Sequence, residues 1–217
     1  MAPMSSIESQ AAFDAEQRGL LLAVAERSIA CGLERGLPLD PDPADYPEPL
    51  RVIRATFVTL EIAAALRGCI GVLDACRPVV ADVARNAFAA AFEDPRFTRL
   101  QASEFPRLTL KISILTPPEP LEFKSEAELL RRIRPGIDGL ILMDRGRRGT
   151  FLPSVWEQLP DPESFLEHLK RKAGFPVGYW SETLRLLRYT TESFGGPVSL
   201  ERRVYPGQGQ DNGRVPT

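Results

Sequence analysis

"LRVIRATFVTLEIAAALRGCIGVL", residues 50–73, is the stretch that decides the fold, because it holds two strand-like runs with only a short connection between them. The first run is rich in Val, Ile, Thr and Phe, the residue types that favour strands. The two runs follow each other so closely, with a poorly marked turn near residues 61–64, that they predict a β-hairpin with antiparallel pairing.

The second run, "LRGCIGVL" at residues 66–73, carries an arginine and two glycines, which weaken an ordinary strand. A segment that breaks local rules tends to mark either function or a close approach of two backbones. Because side chains alternate between the faces of a strand, the run divides into two sets. The core-like set is Leu66, Gly68, Ile70 and Val72, and the opposite set is Arg67, Cys69 and Gly71.

Cys69 and Arg67 are the candidate catalytic residues. On one strand face their backbones lie roughly 6–7 Å apart, and a guanidinium that close favours a reactive thiolate. Gly71 is expected to leave open space beside them, and Gly68 and Gly71 are assigned as binding residues. A structural alternative stays open, in which Cys69 is a small buried residue and the two glycines allow another backbone to cross closely.

A second candidate motif is "EDPRF", residues 93–97, which follows an alanine-rich helix. Asp94 and Pro95 predict a turn. Arg96 then either points into a cleft, as a second positive charge for an anionic ligand, or pairs with Asp94. Both Asp94 and Arg96 are therefore candidate binding residues.

The rest of the chain predicts an α+β fold with mostly antiparallel sheets and flanking helices. Helix-start signals alternate with strand patterns, without the regular rhythm of βαβ units. The helix signals are Asp14, Pro78, Ser125 and Asp161. The later strands are expected at residues 108–114, as a strand–turn–strand within 134–153, and as one last strand within 182–194.

The predicted domain organisation is simple. Residues 1–10 are expected to be a flexible N-terminus, residues 11–194 one domain, and residues 195–217 a mobile C-terminal tail. Within the domain, residues 38–49 are rich in proline and acids and predict a connector.

Composition excludes several classes of protein. With 217 residues, 43% of them hydrophobic, and a net charge of -2, no global field attracts the chain to nucleic acid or anionic membranes. No run approaches the roughly 20 apolar residues that span a bilayer, and residues 1–10 lack the features of a secretion signal. A cytoplasmic location is therefore predicted. Arginine outnumbers lysine 23 to 4, which is compatible with a GC-rich bacterial genome.

Neither a metal site nor a cofactor is predicted. The three cysteines, Cys31, Cys69 and Cys76, and the single histidine, His168, lack zinc-binding spacing. Glycine-rich phosphate loops and the G-x-S-x-G elbow are missing as well. His168 is the only histidine that could serve Cys69 as a base, but nothing in the spacing supports this, and it is interpreted as a surface residue.

Two weaker patterns concern binding. Phe151 and Trp156 are aromatic residues of the kind that anchor protein interfaces, with Arg147 and Arg148 beside them, although they are as often core residues. A set of arginines could bind phosphate or RNA, but acids alternate with them and no aromatic platform interleaves them, which favours a solvated face. This set is Arg131, Arg132, Arg134, Arg145, Arg147 and Arg148.

Taken together, "LRGCIGVL", "AFEDPRF", "LTLKISILTPPEPL", "PGIDGLIL", "RRGTFLPSVWEQL" and "FLEHLKRKAGFP" resemble the AMMECR-type domain family, in order, over about residues 50–194. The resemblance implies an α+β fold of two unequal lobes, and no settled biochemical activity. It also implies a place beside a Memo-like metalloprotein and a radical SAM protein in the AmmeMemoRadiSam grouping. Carried over by motif, the residues of interest are Arg67, Gly68, Cys69, Ile70 and Gly71, then Asp94, Pro95, Arg96 and Phe97.

The sequence departs from the family pattern in two places. The hairpin connection reads "EIAAAL", residues 61–66, where the family carries Gly or Asn, which leaves the turn conformation open. No cysteine occurs in the helix around "FLEHLKRKAG", so a mechanism that needs a second thiol from that helix is not expected.

Three functions remain as hypotheses. In the first, the protein is an accessory or enzymatic component of a system with the two partners, and Cys69 and Arg67 form a site for a small or anionic ligand. In the second, it is a non-catalytic interaction module whose Arg-Gly-Cys-Ile-Gly motif is structural. The third is an RNA-binding accessory, which needs an arginine face and steep salt dependence.

Overall fold

The structure is a computed structural model that describes residues 13–199. The described residues divide into two compact units, residues 13–112 with 194–199 and residues 113–193, and each is described by itself. The α-helices are α1 (Ala15–Arg35), α2 (Val79–Phe92), α3 (Glu126–Arg132) and α4 (Pro162–Lys172). The strands are β1 (Thr56–Ile62), β2 (Ala65–Gly71), β3 (Leu108–Leu115), β4 (Glu119–Pro120), β5 (Gly139–Asp144), β6 (Arg147–Phe151), β7 (Arg185–Tyr189) and β8 (Thr191–Pro197).

The first unit contains α1, α2 and most of a four-stranded sheet in the order β2-β1-β3-β8. Asp14 caps α1 with a capping box to Gln17, and the helix ends at Gly36 in the left-handed conformation (φ 73°). A glycine suits that position because it has no Cβ to clash there. The helix start at Asp14 was predicted, and the α+β class with antiparallel strands is confirmed.

A buried polar network ties the start of α2 to the start of β1. The Asp82 carboxylate is fully buried and accepts hydrogen bonds from the Thr56 backbone, the Thr56 hydroxyl and the Asn86 amide at 2.7–3.0 Å. Arg77 adds two guanidinium donors at 3.0 and 3.2 Å. A buried carboxylate is tolerated when it is paired and hydrogen-bonded in this way, so the network holds α2 in register with the hairpin.

The hairpin of β1 and β2 has one irregularity. Thr59 pairs with Cys69 and Leu60 with Gly68, but Glu61 then pairs with Leu66. Arg67 is therefore an extra residue on β2, a β-bulge. A bulge breaks the alternation of faces and re-aims the side chain that it carries.

The hairpin turn uses two alanines where glycine or asparagine is usual. Ala63 and Ala64 both have positive φ, 50° and 63°, as a two-residue type I′ turn requires. A Cβ makes that conformation unfavourable, so the turn stores backbone strain.

Relief of this strain is expected to stabilise the protein. Replacement of Ala63→Asn together with Ala64→Gly should raise the free energy of unfolding by about 1–2 kcal/mol. Thermal denaturation followed by circular dichroism measures the gain, and Ala65→Gly in β2 is the control, with an expected loss of about 0.5–1 kcal/mol. An unchanged or lower melting temperature in the double variant contradicts the turn geometry.

The second unit is built on a four-stranded antiparallel sheet in the order β4-β7-β5-β6. Its core is an apolar cluster that includes Leu140 and Leu142 of β5 and Phe165 of α4. The Trp156 ring stacks on Phe165 with centroids 3.7 Å apart, and its indole N–H donates to the Asp138 carbonyl at 2.8 Å. β5 lies between β7 and β6 and is buried at every residue but Met143, which is half-buried.

The bounds of three predicted segments differ from those in the structure. The last predicted strand, residues 182–194, is two strands, β7 and β8, in different sheets, with Thr190 between them. β8 extends to Pro197, into the residues assigned to the tail, and the connector at residues 38–49 contains the short 3-10 turn Pro43–Asp45. The predicted flexible N-terminus and residues 200–217 lie outside the described residues.

Within residues 13–199, no helix is both long enough and apolar enough to cross a membrane.

Candidate functional site

Cys69 lies on β2, the edge strand of the first sheet, and the side chains of Asp94 and Arg96 bind its backbone. Its backbone N–H donates to Asp94 Oδ2 at 2.9 Å, and its carbonyl accepts a hydrogen bond from Arg96 Nη2 at 3.0 Å. β2 is the terminal strand, so these backbone groups would otherwise be open to pairing with another strand. The Asp94–Arg96 pair therefore closes the edge of the sheet at Cys69.

Asp94 and Arg96 form a bidentate ion pair. Arg96 Nε and Nη2 donate to the Asp94 oxygens at 2.9 and 2.7 Å, and the Arg96 backbone N–H adds a bond at 3.1 Å. The Asp94 side chain is 2% exposed, whereas the Arg96 side chain is 54% exposed. The Arg96 guanidinium, with the backbone donors of Cys69 and Arg96, holds the pKa of Asp94 well below its usual range. Of the two predicted roles of Arg96, the structure shows pairing with Asp94.

The Cys69 thiol is partly buried and has two polar neighbours. The Thr59 hydroxyl, on the paired residue of β1, donates to Sγ at 3.3 Å. The pKa of Arg96 is raised first by its bond to Asp94 and, in smaller part, by the Cys69 side chain. The Arg96 guanidinium thus lies next to Cys69, where it also donates to the backbone carbonyl.

Arg67, predicted to lie beside the thiol, is held elsewhere. Its Nε and Nη2 donate to the Glu104 carboxylate at 2.7 and 3.1 Å, and Nη2 also donates to the Thr98 carbonyl at 2.9 Å. The bond to Glu104 raises the pKa of Arg67. The physical reason is the β-bulge, which takes Arg67 out of simple alternation with Cys69. Among the described residues Arg67 makes no hydrogen bond to Cys69.

Both guanidinium groups still lie over one aromatic ring. The Arg67 and Arg96 guanidinium carbons are 5.9 and 5.5 Å from the centre of the Phe97 ring. Arg67 Nη1 is buried and has no hydrogen-bond partner among the residues that the structure describes. A buried N–H without an acceptor is costly.

The two glycines of the motif are explained by close packing. A Cβ on Gly68 would lie 2.1 Å from the Ala90 carbonyl oxygen on α2. A Cβ on Gly71 would lie 2.3 Å from the Phe57 ring and 2.4 Å from the Thr56 carbonyl oxygen. The expectation of open space beside Gly71 was therefore wrong, because Phe57 fills it. Close approach was the structural alternative for both glycines, and the structure shows it.

Sequence reasoning missed Thr59, Thr98 and Glu104. Thr59 could have been found, because the hairpin register alone puts it opposite Cys69. Glu104 lies 37 residues from Arg67 in the chain, and no local pattern joins them.

The residues proposed as an interaction surface belong to the second unit. Trp156 is 4% exposed and stacks in the core, so it does not offer an anchor for a partner. Phe151 packs edge-on against Phe165, also next to that core. Arg147 and Arg148 are exposed, and Arg147 donates to the Gly174 carbonyl and lies over the Phe175 ring.

His168 is exposed on α4, with Nδ1 2.8 Å from the Ser164 carbonyl oxygen, as expected of a surface residue. Within residues 13–199, no group of three or more His, Cys, Asp or Glu side chains is arranged to hold a metal ion.

Comparison with known proteins places this geometry in a family. The AMMECR1 family model matches residues 22–194. The chain is 38% identical over 154 residues to a protein of Methanothermobacter thermautotrophicus, covering 70% of this chain and 80% of that protein. It is 35% identical over 192 residues to a protein of Thermofilum pendens, covering 83% and 90%.

A solved structure is also similar. The crystal structure of the uncharacterized protein PH0010 from Pyrococcus horikoshii matches with a TM-score of 0.74 and 34% identity, covering 82% of this chain and 91% of that chain. These relatives are archaeal, and the bacterial origin stays a prediction. The ordered motifs, the fold and the matched range agree: the chain belongs to the AMMECR1 family.

Proposed function

We propose that the first unit is a binding component whose site is the Cys69 thiol, with the Arg96 and Arg67 guanidinium groups beside it, and that its ligand is small and anionic. The observation that carries this proposal is the pair of groups at Cys69: the Thr59 hydroxyl donates to its Sγ at 3.3 Å, and the Arg96 guanidinium donates to its carbonyl at 3.0 Å. Reactive cysteines occur in partly exposed, electropositive surroundings of this kind.

The surroundings of the thiol are rigid. The Cys69 backbone is bonded on both sides, through its N–H to Asp94 and through its carbonyl to Arg96. Gly68 packs directly against α2, so the strand cannot move towards the helix. A site built on a strand with locked neighbours holds its reacting atom in one place. In this proposal Cys69 is the nucleophile or carrier.

The anionic character of the ligand follows from charge and hydrogen bonding. Arg96 is half exposed although it is paired, so one side of its guanidinium faces solvent. Arg67 contributes Nη1, a buried donor for which the described part of the chain offers no acceptor. A carboxylate or phosphate oxygen would satisfy that donor through a charge-assisted hydrogen bond.

A second candidate function is a non-catalytic interaction module. The observation that favours it is that packing and hydrogen bonds account for Gly68, Gly71, Asp94 and most of Arg67 without any ligand. In this case Cys69 is a small packing residue of β2.

Alkylation of Cys69 separates the two functions. In a Cys31→Ser, Cys76→Ser background, the rate with anionic iodoacetate is compared with the rate with neutral iodoacetamide. We expect the iodoacetate-to-iodoacetamide ratio at Cys69 to exceed several-fold the ratio at the exposed Cys76, which is measured in a separate Cys31→Ser, Cys69→Ser variant, because the guanidinium groups attract the anion. Arg67→Gln should lower the ratio roughly threefold.

The matched control is Arg85→Gln. Arg85 lies on α2 but shares three features of Arg67. It has an ion pair (to Glu93), a contact with an aromatic ring (Phe88) and a buried nitrogen without a partner within residues 13–199. Its loss should leave the ratio unchanged. A Cys69 that reacts only after unfolding, or a ratio equal to that of Cys76, supports the interaction module instead.

The partners in this proposal are the Memo-like metalloprotein and the radical SAM protein, in the cytoplasm. Family membership supports these partners, because the resemblance to AMMECR-type proteins implies that grouping. Size-exclusion chromatography of the purified protein mixed with each candidate tests it. Elution of separate components at micromolar concentrations, with Cys69 intact, contradicts a stable complex.

A further inference from the structure

The turn between β5 and β6 carries a second departure from local preference. It reads "DRGR", residues 144–147, and Arg145 and Gly146 both have positive φ, 44° and 73°. Asn, Asp or Gly suits the first position of such a two-residue hairpin turn. An arginine held there costs conformational free energy, and residues kept at such a cost cluster at functional sites. The backbone at Arg145 therefore indicates a use for its side chain.

This turn borders a pocket that lies within the second unit. The pocket has a volume of about 720 Å³, which falls within the usual range for small-molecule sites. Its lining includes Met143 of β5, Arg145 of the turn, Glu182 and Thr183 before β7, and Arg185 of β7. Side chains of both charges and one apolar side chain therefore meet in a single cavity.

A hydrogen bond joins the two turns that carry the charges. Asp144 accepts from the Tyr179 hydroxyl at 2.6 Å and from the Thr183 hydroxyl at 2.7 Å, and these bonds lower its pKa. The Asp144 carboxylate is thus committed to contacts within the protein. Arg145 is the next residue after Asp144 in the chain, and Glu182 comes directly before Thr183. The joined turns therefore bring a positive and a negative side chain to neighbouring sides of the pocket.

Three charged side chains of the pocket are free for a ligand. Arg145, Glu182 and Arg185 are exposed, and none of them takes part in an ion pair or a side-chain hydrogen bond within residues 13–199. Arg148 also lines the pocket, but another contact within the protein already engages it, so no ligand contact is assigned to it. Arg145 and Glu182 do not pair with each other, although they have opposite charges and lie on joined turns. Both signs of charge are therefore available to one ligand.

The apolar part of the pocket lies beside Arg185. Met143 on β5 pairs directly with Arg185 on β7. Directly paired residues point to the same face of a sheet, and their backbones are about 5 Å apart. Met143 is half-buried, so part of its side chain is open to the pocket. A ligand held by the Arg185 guanidinium therefore meets the Met143 side chain as well.

From this arrangement we infer that the second unit binds a free α-amino acid with an apolar side chain. Arg145 and Arg185 bind its carboxylate, because guanidinium groups match the geometry of carboxylate oxygens. Glu182 accepts hydrogen bonds from its ammonium group, and Met143 contacts its side chain. A simple anion suits the pocket less well, because it leaves the like charge of Glu182 beside it. This site does not rest on the function proposed for the first unit.

An NMR titration of the full chain with L-leucine, at physiological ionic strength, tests the inference. We expect one saturable site per chain, with a shift of the Gly146 backbone amide signal. Two analogues serve as matched controls: 4-methylpentanoate lacks the ammonium group, and 3-methylbutylamine lacks the carboxylate. Each should bind at least about fivefold more weakly than L-leucine, because each loses one charge-assisted contact.

Two substitutions separate the contacts of the two charges. Glu182→Gln should weaken L-leucine about fivefold without weakening 4-methylpentanoate, whereas Arg185→Gln should weaken both ligands. A general loss of structure does not produce this pattern. Glu163→Gln and Arg131→Gln remove exposed charges of the same unit outside the pocket, and both should leave binding unchanged.

Arg145→Asn combines a gain in stability with a loss of binding, because asparagine tolerates positive φ. This variant should raise the melting temperature by about 2–4 °C while it weakens binding of L-leucine. Three results overturn the inference. They are no saturable shift with L-leucine, an analogue that binds as tightly as L-leucine, and equal losses in Glu163→Gln or Arg131→Gln.

Discussion

Gly68→Ala is expected to destabilise the protein by about 3 kcal/mol, because the added Cβ meets backbone that cannot rotate away. The Cβ would lie 2.1 Å from the Ala90 carbonyl oxygen and 3.1 Å from the Ala90 carbonyl carbon. A side chain in that place could change rotamer, but a helix carbonyl moves only with its helix. To accept the methyl group, α2 must move off β2, and contacts along their interface are lost.

Urea denaturation followed by circular dichroism at 222 nm measures this effect, with a fall in melting temperature of about 6–12 °C expected in parallel. Gly19→Ala is the matched control. Gly19 lies within α1, and a Cβ there would meet nothing within 4 Å. Alanine at that site should stabilise the protein by about 0.5–1 kcal/mol. If Gly68→Ala unfolds within 0.5 kcal/mol of the parent, the contact between β2 and α2 is not as described.

Local signals predicted much of this fold, and their success has a physical cause. The capping box of Asp14, the cap at Ser125 and the proline start at Pro162 all depend on groups within four residues in the chain. The hairpin of β1 and β2 was predicted for the same reason. The division of residues 182–194 into β7 and β8 was not, because the two strands join different sheets, which depends on distant partners.

The sequence predicted which residues form the candidate site, but not the contacts between them. The alternation of side chains along a strand predicted that Arg67 lies on the same face as Cys69. The bulge opposite Glu61 interrupts this alternation, so the two side chains do not share a face in that simple way. The bulge depends on tertiary contacts, here including the pairing of Arg67 with Glu104. The alternation of residue types along the strand therefore could not predict it. Arg96 was placed correctly as one of two options, because Asp94 lies only two residues away.

Asp94→Ala is the second substitution with a large expected effect. It should lower the free energy of unfolding by about 2–3 kcal/mol. The change leaves the Cys69 N–H without its acceptor, and it frees Arg96 from the edge of β2. Most of the loss comes from the N–H, because Arg96 is half exposed and water replaces part of its bonding. Asp94→Asn, which keeps an acceptor but no charge, should cost about half as much.

The pH dependence of these variants tests the same contact with a definite sign. The pKa of Asp94 is held well below 3.8, its value in the absence of these contacts, so the unfolded chain takes up the proton first as pH falls. The stabilisation from Asp94 is therefore fully present at neutral pH and is lost progressively below about pH 5. The stability difference between the parent and Asp94→Asn should narrow between pH 7 and pH 3, measured by urea denaturation at each pH.

A constant difference across that range contradicts the ion pair, since a neutral hydrogen bond does not titrate there. The alkylation ratio of Cys69 in Asp94→Asn decides what the ion pair does for the thiol. If Asp94 serves to hold Arg96 at the sulfur, the preference for iodoacetate should fall together with the stability, because the freed guanidinium leaves its position. If stability falls and the preference stays, Asp94 closes the sheet edge and the charge at the thiol comes from Arg67, whose Nη1 has no partner among the described residues.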